Sequence, residues 1–179
     1  MKFIETEIDN IHIIHAESFN DKRGFFNRKF CKNEFKVNDK KFEFVQVNHS
    51  FNKLKGTIRG MHFQHKPFEE IKLISCIYGS VIDVLIDVRK DSNTYLKKVY
   101  IDLNEKSNKS ILVGKGIAHG FQTLENNTSL IYFHSEFFSE NYSDGLNPMD
   151  PTLNINWPIK KHIISEKDSN YPLINKNEV

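Results

Sequence analysis

The sequence predicts an all-β fold, a sandwich or jelly roll. About eight to ten short segments of β-branched and aromatic residues alternate with turn signals, which is typical of these architectures. One short segment in the middle has a pattern that fits a helix. The 179 residues suffice for one core, and no linker or repeat divides them. We therefore predict a single jelly-roll barrel over residues 1–179, with a few short peripheral helices.

The first elements surround an early loop. Residues 3–15 alternate loosely between apolar and polar side chains, which predicts one or two strands with a turn at residues 9–10. A loop is expected within residues 18–30, where Gly24 follows a polar run. The two phenylalanines at 25–26 are expected to return the chain to a buried position.

The middle of the chain starts with the helix prediction and continues with strands. Residues 31–38 are interpreted as a helix of about two turns. The strand at 42–51 places a half-apolar, half-polar set on one face, which predicts a pocket wall. The members of that set are Phe42, Phe44, Gln46, Asn48 and Ser50. The next strand, 56–64, contains Gly60 at an expected bulge or close approach.

Two apolar runs meet at residues 79–80 and predict a hairpin with strands at 71–78 and 81–88. Further strands are expected at 97–103 and 128–138. The Pro- and Asn-rich tail is expected to wrap the barrel, with a short helix in the SEKDSN segment, residues 165–170.

Composition excludes several classes of protein. A net charge of +2 is too small to indicate nucleic-acid binding. Cys31 and Cys76 lie in no CxxC pattern, so reduced thiols are expected. Acidic residues occupy the N-terminal segment where a signal peptide needs an apolar run, and no apolar stretch reaches the length of a membrane span. These features predict a soluble cytoplasmic protein with no membrane partner.

Residues 56–73 hold the densest group of acids, bases and anion binders, and a metal site is the first function to test there. A metal-binding jelly roll of the cupin type uses a pair of histidines, a Glu and a later histidine. Here His62 and His119 are present, but Gln64 stands where the second metal histidine should fall. His65 would point to the opposite face of the strand. Two histidines and an amide suit a divalent first-row ion poorly, so no metal is predicted.

Proton transfer without a metal is favoured instead. It needs a base that titrates near neutral pH, an acid on the far side of the substrate and a cation for an oxyanion. His62, Tyr132 and Lys72 have these chemistries and lie on three separate predicted strands. Lys72 is in phase with Ile74 and Cys76 on a face expected to be buried, and a buried lysine normally has a function.

The remaining charged residues of the region divide into two groups. Arg23 and Arg59 are of the type that binds phosphate through paired hydrogen bonds. His65, Glu69 and Glu70 are interpreted as loop or surface residues.

Taken together, the motifs resemble the dTDP-4-dehydrorhamnose 3,5-epimerase family, metal-free cupins that epimerise nucleotide-linked 4-keto sugars. The resemblance runs from about residue 3 to residue 173. It rests on DKRGFF at 21–26, VQVNHS at 45–50, GTIRGMHFQ at 56–64, IKLISCIYGSVIDVLIDVR at 71–89, GIAHGFQTL at 116–124, LIYF at 130–133, DPTLNINWP at 150–158 and SEKD at 165–168. The set is specific because these motifs occur in this order and spacing.

The resemblance implies a role for each matching position. His62 corresponds to the base that removes the proton next to the ketone, and Asp168 to the carboxylate that orients it. Tyr132 corresponds to the acid that returns a proton from the opposite face. Lys72 corresponds to the cation near the 4-keto oxygen. No cofactor is implied.

The resemblance also implies binding residues and a partner. Arg23 and Arg59 match diphosphate contacts, Gln46, Asn48 and His119 match other pocket residues, and Asp83 is a candidate partner of His119 or Lys72. A homodimer is implied, in which Arg23 or Phe26 reaches the neighbouring site.

Three positions depart from the family pattern. Asn27-Arg28 replaces an expected Glu in the nucleotide-binding part, so GDP or CDP remains an alternative to dTDP. Gly114 replaces a common Pro. Phe138 replaces a tyrosine, which leaves open a different sugar, such as a heptose, or inversion at one carbon only.

The predicted function is inversion of carbon 3, carbon 5 or both in a nucleotide-linked 4-keto-6-deoxy sugar for surface-polysaccharide synthesis. Two alternatives remain: a ketoisomerase of the same fold that moves the carbonyl to carbon 3, and a sugar-nucleotide-binding cupin without catalysis.

Overall fold

The computed structural model describes residues 1–37, 40–41 and 43–175 and confirms the all-β prediction. The strands in this part of the chain are Lys2–Glu5 (β1), Ile11–His15 (β2), Ser18–Asp21 (β3), Gly24–Asn27 (β4), Lys36–Val37 (β5), Lys40–Lys41 (β6), Gln46–Asn52 (β7), Ile58–Gln64 (β8), Lys72–Tyr78 (β9), Ser80–Asp87 (β10), Lys98–Asn104 (β11), Lys109–Val113 (β12), Ile117–Thr123 (β13), Thr128–His134 (β14) and Ser143–Gly145 (β15). A 3₁₀ turn spans Glu140–Tyr142, and one α-helix, α1, spans Glu166–Ser169. Phe42 of the predicted pocket wall lies outside the described residues.

Two antiparallel sheets form the jelly roll. The six-stranded sheet has the order β1-β2-β12-β9-β14-β7, and the five-stranded sheet has the order β11-β10-β13-β8-β15. Alternate side chains of both sheets point inward and form the main core, in which Ile74 and Leu130 of the first sheet meet Leu85 and Phe121 of the second. In the described part of the chain, no helix has the length and apolarity that a membrane crossing requires.

The predicted hairpin at residues 71–88 is wrong in its pairing, although both strands are present. β9 pairs with β12 and β14 in the six-stranded sheet, whereas β10 pairs with β11 and β13 in the five-stranded sheet. Gly79, at φ +75°, turns the chain from one sheet to the other. A Cβ at this position would lie 2.6 Å from Oγ1 of Thr128, so the turn is too close-packed for a larger residue. Two apolar runs around a glycine fit a crossover between sheets as well as a hairpin.

Two predictions between residues 25 and 38 are contradicted. Phe25 and Phe26 are 59% and 69% exposed, because the β3–β4 hairpin forms a separate two-stranded sheet. Residues 31–35 form a single turn, in which Glu34 N and Phe35 N both donate to Cys31 O, and β5 follows at Lys36–Val37, while position 38 of the predicted helix lies outside the described residues. Phe35 is fully buried against Phe3 and Phe30. Burial of the Phe35 ring holds this segment against the barrel, so no helix is needed to anchor it.

The C-terminal tail packs on the five-stranded sheet, as expected. Ile163 bridges Thr57, Gln122 exchanges hydrogen bonds with Ile159, and Trp157 is buried in the second core cluster. The predicted short helix is confirmed as α1. Ser165 caps its N-terminus by accepting a hydrogen bond from Asp168 N at 3.1 Å.

Gly60 lies at the predicted close approach. The β8–β13 register shifts between His119 and Phe121, and a Cβ on Gly60 would lie 2.4 Å from the Cα of Gly120. The residue also has φ +125°, a conformation that costs a non-glycine residue about 1–3 kcal/mol.

We expect Gly60→Ala to lower the free energy of unfolding by about 4 kcal/mol or more, since backbone strain and a main-chain clash add together. Gly24→Ala is the matched control, because Gly24 has φ +129° with nothing within 4 Å of the added Cβ. This control should lose only about 1–3 kcal/mol. Urea denaturation measures the free energy of unfolding of both variants. Equal losses would show that the contact with Gly120 adds nothing to the cost of the backbone strain.

Candidate active site

One cavity of about 240 Å³ opens between the two sheets and contains most of the predicted catalytic residues. Its described lining residues are Asn48, His49, Ser50, Arg59, His62, Lys72, His119, Phe121, Tyr132 and His134. His62 lies on β8 of the five-stranded sheet and Tyr132 on β14 of the six-stranded sheet, so they occupy facing walls. A substrate between the sheets would have a base on one side and a phenol on the other.

Asp168 holds the His62 ring. His62 Nε2 is 2.7 Å from Asp168 Oδ1, and the second carboxylate oxygen accepts from Gly60 N at 3.3 Å. Burial alone would raise the pKa of Asp168, but the hydrogen bonds and the charge of His62 outweigh it and hold this pKa below its usual value. The ionised carboxylate orients the imidazole and can stabilise its charged form.

Tyr132 is a protonated phenol. Burial raises the pKa of its hydroxyl well above the ordinary value, and the negative charge of Asp83 adds to this effect. The same hydroxyl hydrogen-bonds with Ser50 of β7. Tyr132 can therefore give up a proton only to a strongly basic acceptor, such as an enolate formed in the cavity.

Lys72 is buried, as its phase on β9 predicts, with 7% of the residue exposed. Its Nζ lies 3.0 Å from Glu70 Oε1 and donates to His62 O at 3.4 Å. Of the loop or surface position predicted for Glu70, the loop is confirmed, since the residue precedes β9, whereas the surface is wrong, because only 9% of its side chain is exposed. The carboxylate is buried because it neutralises the ammonium group beside it.

Arg59 and His119 complete the deep part of the cavity. Arg59 Nε donates to Asn52 Oδ1 at 2.7 Å, which fixes the guanidinium at the wall. His119 Nε2 is hydrogen-bonded to Asp83, which has no solvent exposure. Of the two partners predicted for Asp83, the structure therefore selects His119.

Gln46 and Phe138 are connected by hydrogen bonds to Asn48, which lines the cavity. Gln46 Nε2 donates to Asn48 Oδ1 at 3.3 Å, and Gln46 Oε1 accepts from Phe138 N at 3.1 Å. The Phe138 side chain is exposed. A strand residue, Gln46, and a loop residue, Phe138, are thus linked next to a lining residue of the cavity.

Arg23, Phe26 and Arg28 are not among the described residues that line the cavity. Arg23 pairs with Asp21 at the tip of the β3–β4 hairpin, where 84% of its side chain is exposed. Arg28 pairs with Glu34. Within one chain, these three predicted substrate contacts are separate from the other nine site residues.

The sequence and the fold both match known proteins. The sequence model of the dTDP-4-dehydrorhamnose 3,5-epimerase family matches residues 5–176. A relative from Shigella flexneri, a dTDP-4-dehydrorhamnose 3,5-epimerase, is 37% identical over 95% of this chain and 94% of its own length. The chain belongs to this family. The match confirms the resemblance identified from the motifs and makes the protein an epimerase, an enzyme of the isomerase class.

Solved epimerases of the family have the same fold. The enzyme from Bacillus anthracis, crystallised with TDP and PPi, has a TM-score of 0.93 and 37% identity, with 97% of this chain and 99% of that chain covered. The enzyme from Legionella pneumophila, in complex with dTDP-4-keto-L-rhamnose, has a TM-score of 0.89 and 30% identity, with 99% and 96% covered. These coverages leave no large segment of the epimerase fold unmatched.

Gln64 uses both ends of its amide for structure in this epimerase. Its Oε1 accepts from Ser139 N at 2.7 Å, and its Nε2 donates to the carbonyls of Phe68 and Phe137 at 2.9 and 3.2 Å. Across residues 1–37, 40–41 and 43–175, no group of three or more His, Cys, Asp and Glu is arranged as a metal site.

Sequence reasoning missed His134 and Glu70 as parts of the epimerase site. His134 follows Tyr132 by two residues, and the period of a strand places both on the cavity face. That spacing was a usable signal. The burial of Glu70, in the loop before β9, depends on its contacts with Lys72 and His134 and has no local pattern.

The pKa of Asp168 has a consequence for stability. A carboxyl whose pKa is lowered by folding stabilises the native state above its unfolded pKa, and this contribution is lost as the pH falls toward the folded pKa. We expect Asp168→Asn to flatten the fall in melting temperature between about pH 5 and about pH 3. Calorimetry of wild type and Asp168→Asn across this pH range measures the two melting-temperature curves. Parallel curves would show that the Asp168–His62 pair contributes nothing to acid sensitivity.

Proposed function

We propose that the chain inverts carbons 3 and 5 of a dTDP-linked 4-keto-6-deoxy sugar. The observation that carries the proposal is the placement of His62 and Tyr132 on facing walls of one cavity, with Lys72 beside them. Family membership favours dTDP over GDP and CDP, because the crystallised relatives bind TDP and a dTDP-sugar. The product is proposed to serve surface-polysaccharide synthesis.

In the proposed reaction, one proton is removed from one face of the sugar and another proton is added from the opposite face. The ketone acidifies the hydrogen on each neighbouring carbon, and His62, held by Asp168, removes it. The electron pair moves onto the ketone oxygen, where the Lys72 ammonium stabilises the enolate. Tyr132 then gives its proton to the same carbon from the opposite wall, which inverts the centre. His62 returns its proton to water and Tyr132 regains one, so the cycle is redox-neutral.

Both centres can be served by the same pair of residues if the sugar turns in the cavity. Arg59 and His119 lie where the diphosphate and the sugar hydroxyls would need a cation and a hydrogen-bonding group. Asn48 in the cavity wall, and Gln46 and Phe138 that are connected to it by hydrogen bonds, are proposed to contact the rest of the substrate.

Turnover of dTDP-, GDP- and CDP-linked 4-keto-6-deoxy sugars in deuterated water tests the proposal. Proton NMR should show deuterium at carbons 3 and 5 with inverted couplings, and the dTDP sugar should react fastest. Deuterium at carbon 3 alone would restrict the enzyme to one centre. A carbonyl moved to carbon 3 would show a ketoisomerase, and no exchange with any sugar would contradict the epimerase proposal.

Arg23 and Phe26 are proposed to act in the site of a second copy of the chain. The β3–β4 hairpin exposes Phe19, Phe25 and Phe26, an apolar set that a partner subunit would cover. Arg23 at its tip is then available to a substrate diphosphate in the partner's cavity.

Mixing two inactive variants tests this dimer. A dimer of one Arg23→Ala subunit and one His62→Ala subunit has one site with both residues intact if Arg23 acts across the interface. We expect random mixing to restore about a quarter of wild-type activity, because half of the dimers are mixed and each has one working site. No recovery, with mixed dimers confirmed by mass spectrometry, would place Arg23 in the site of its own subunit, and wild-type activity of Arg23→Ala alone would place it outside both sites. A monomer by light scattering would also contradict the proposal.

A further inference from the structure

The His134–Glu70 pair is a feature of the cavity to which the proposed reaction assigns no step. His134 lies on β14, and its ring stacks on Tyr132 with centroids 6.2 Å apart and planes 28° apart. In the sheet it is the cross-strand neighbour of Lys72 on β9 and of Gln46 on β7. It therefore sits between the proposed oxyanion cation and the proposed substrate contacts.

Both ring nitrogens of His134 have partners. Nδ1 is 2.6 Å from Glu70 Oε2, and Nε2 is 3.2 Å from Asn48 Nδ2. An amide nitrogen can only donate, so Nε2 accepts from Asn48, and the ring hydrogen lies on Nδ1 and is donated to Glu70. A ring with both nitrogens occupied is suited to orienting its neighbours rather than to exchanging protons with substrate.

The hydrogen bonds around His134 all run in one direction. Phe138 N donates to Gln46 Oε1, Gln46 Nε2 donates to Asn48 Oδ1, and Asn48 Nδ2 donates to His134. His134 donates in turn to Glu70. His134 therefore fixes the orientation of the Asn48 amide, and Asn48 fixes that of the Gln46 amide. The Glu70 carboxylate fixes both, because it determines which ring nitrogen of His134 carries the hydrogen.

Glu70 is a fixed end for this chain of hydrogen bonds. Burial alone would raise its pKa, but the hydrogen bonds from His134 and Lys72 and the positive charge of Lys72 outweigh burial and lower the pKa of Glu70 below its usual value. The Lys72 ammonium holds the carboxylate oxygen that His134 leaves free. An ionised carboxylate accepts only, which excludes the reverse direction.

We propose that His134 is a positioning residue. Because it donates to Glu70, it must accept from Asn48, and this fixes the orientation of the Asn48 amide and, through it, of the Gln46 amide toward substrate. The inference rests on the proposed function, because Asn48 and Gln46 are taken there as substrate contacts. It assigns His134 to substrate binding rather than to the proton-transfer step.

A double-mutant cycle with Asn48 tests the proposal. His134→Phe keeps a ring on Tyr132 and removes both hydrogen bonds, and we expect it to raise KM about tenfold while kcat stays within about threefold. In an Asn48→Ala background the same substitution should leave KM unchanged, since the group that it orients is gone. The proposal is overturned if His134→Phe leaves KM unchanged in the wild type, or raises it equally in both backgrounds.

His134→Gln supplies a second test that does not depend on the fold of the Phe variant. Glutamine keeps an N–H for Glu70 and an oxygen that accepts from Asn48, and it does not titrate, so KM should stay within about threefold of wild type at about pH 8. A KM raised about tenfold in His134→Gln, as in His134→Phe, would overturn the proposal, because the two hydrogen bonds that glutamine keeps would then not account for the effect.

Both variants are read against wild-type protein turning over the same sugar. If wild-type protein turns over no 4-keto sugar, the proposed function fails instead, so the two failures are distinguishable.

Discussion

Replacing His62 with Gln is expected to lower kcat by about 10²–10⁴-fold, the usual contribution of a general base. Glutamine can still hydrogen-bond Asp168, which lies 2.7 Å from the imidazole, but it cannot take up the proton next to the ketone. Binding of dTDP should change little, because His62 is assigned to the reacting carbons and not to the nucleotide. Turnover by NMR and dTDP affinity by calorimetry measure the two effects.

His65→Gln is the matched control. His65 lies just after the same strand and also pairs with a carboxylate, Asp144, at 2.7 Å, but it is exposed and is not among the described lining residues of the cavity. Its kcat should equal that of wild type. Deuterium exchange by His62→Gln at the wild-type rate would remove His62 from the role of base.

Strand periodicity accounts for what the sequence predicted about the site. A period of two places Lys72 on the face of Ile74 and Cys76, and burial of that face is a property of any jelly-roll strand. The structure confirms the burial. Asp168 could not be found in this way, since it reaches His62 from a short helix more than a hundred residues away. Only the family resemblance pointed to it.

The errors have a common physical cause, which is that a local pattern does not specify what covers it. Phe25 and Phe26 look like core residues, but their hairpin leaves the barrel. Glu70 looks like a surface residue, but in the interior Lys72 neutralises it and His134 donates a hydrogen bond to it. The glycine at 79 marks a turn without saying whether the next strand pairs with the previous one or crosses to the other sheet.

Replacing Tyr132 with Phe should separate proton removal from inversion. The variant keeps the ring against His119 and His134 but lacks the hydroxyl, so the phenol proton that the proposed reaction uses is gone. We expect inverted product to fall by about 10²–10⁴-fold. His62 should still remove the proton, exchange it with solvent and return it to the same face.

Proton NMR in deuterated water measures both events in one sample, as deuterium incorporated into unchanged substrate and as inverted product. Tyr142→Phe is the control, because Tyr142 packs on Phe68 and is not among the described lining residues. It should invert and exchange like wild type. Loss of exchange and inversion together in Tyr132→Phe would contradict the assignment of one proton to each wall, because removal would then also require the phenol. Exchange without inversion would instead support proton removal by His62 on one sheet and proton donation by Tyr132 on the facing sheet.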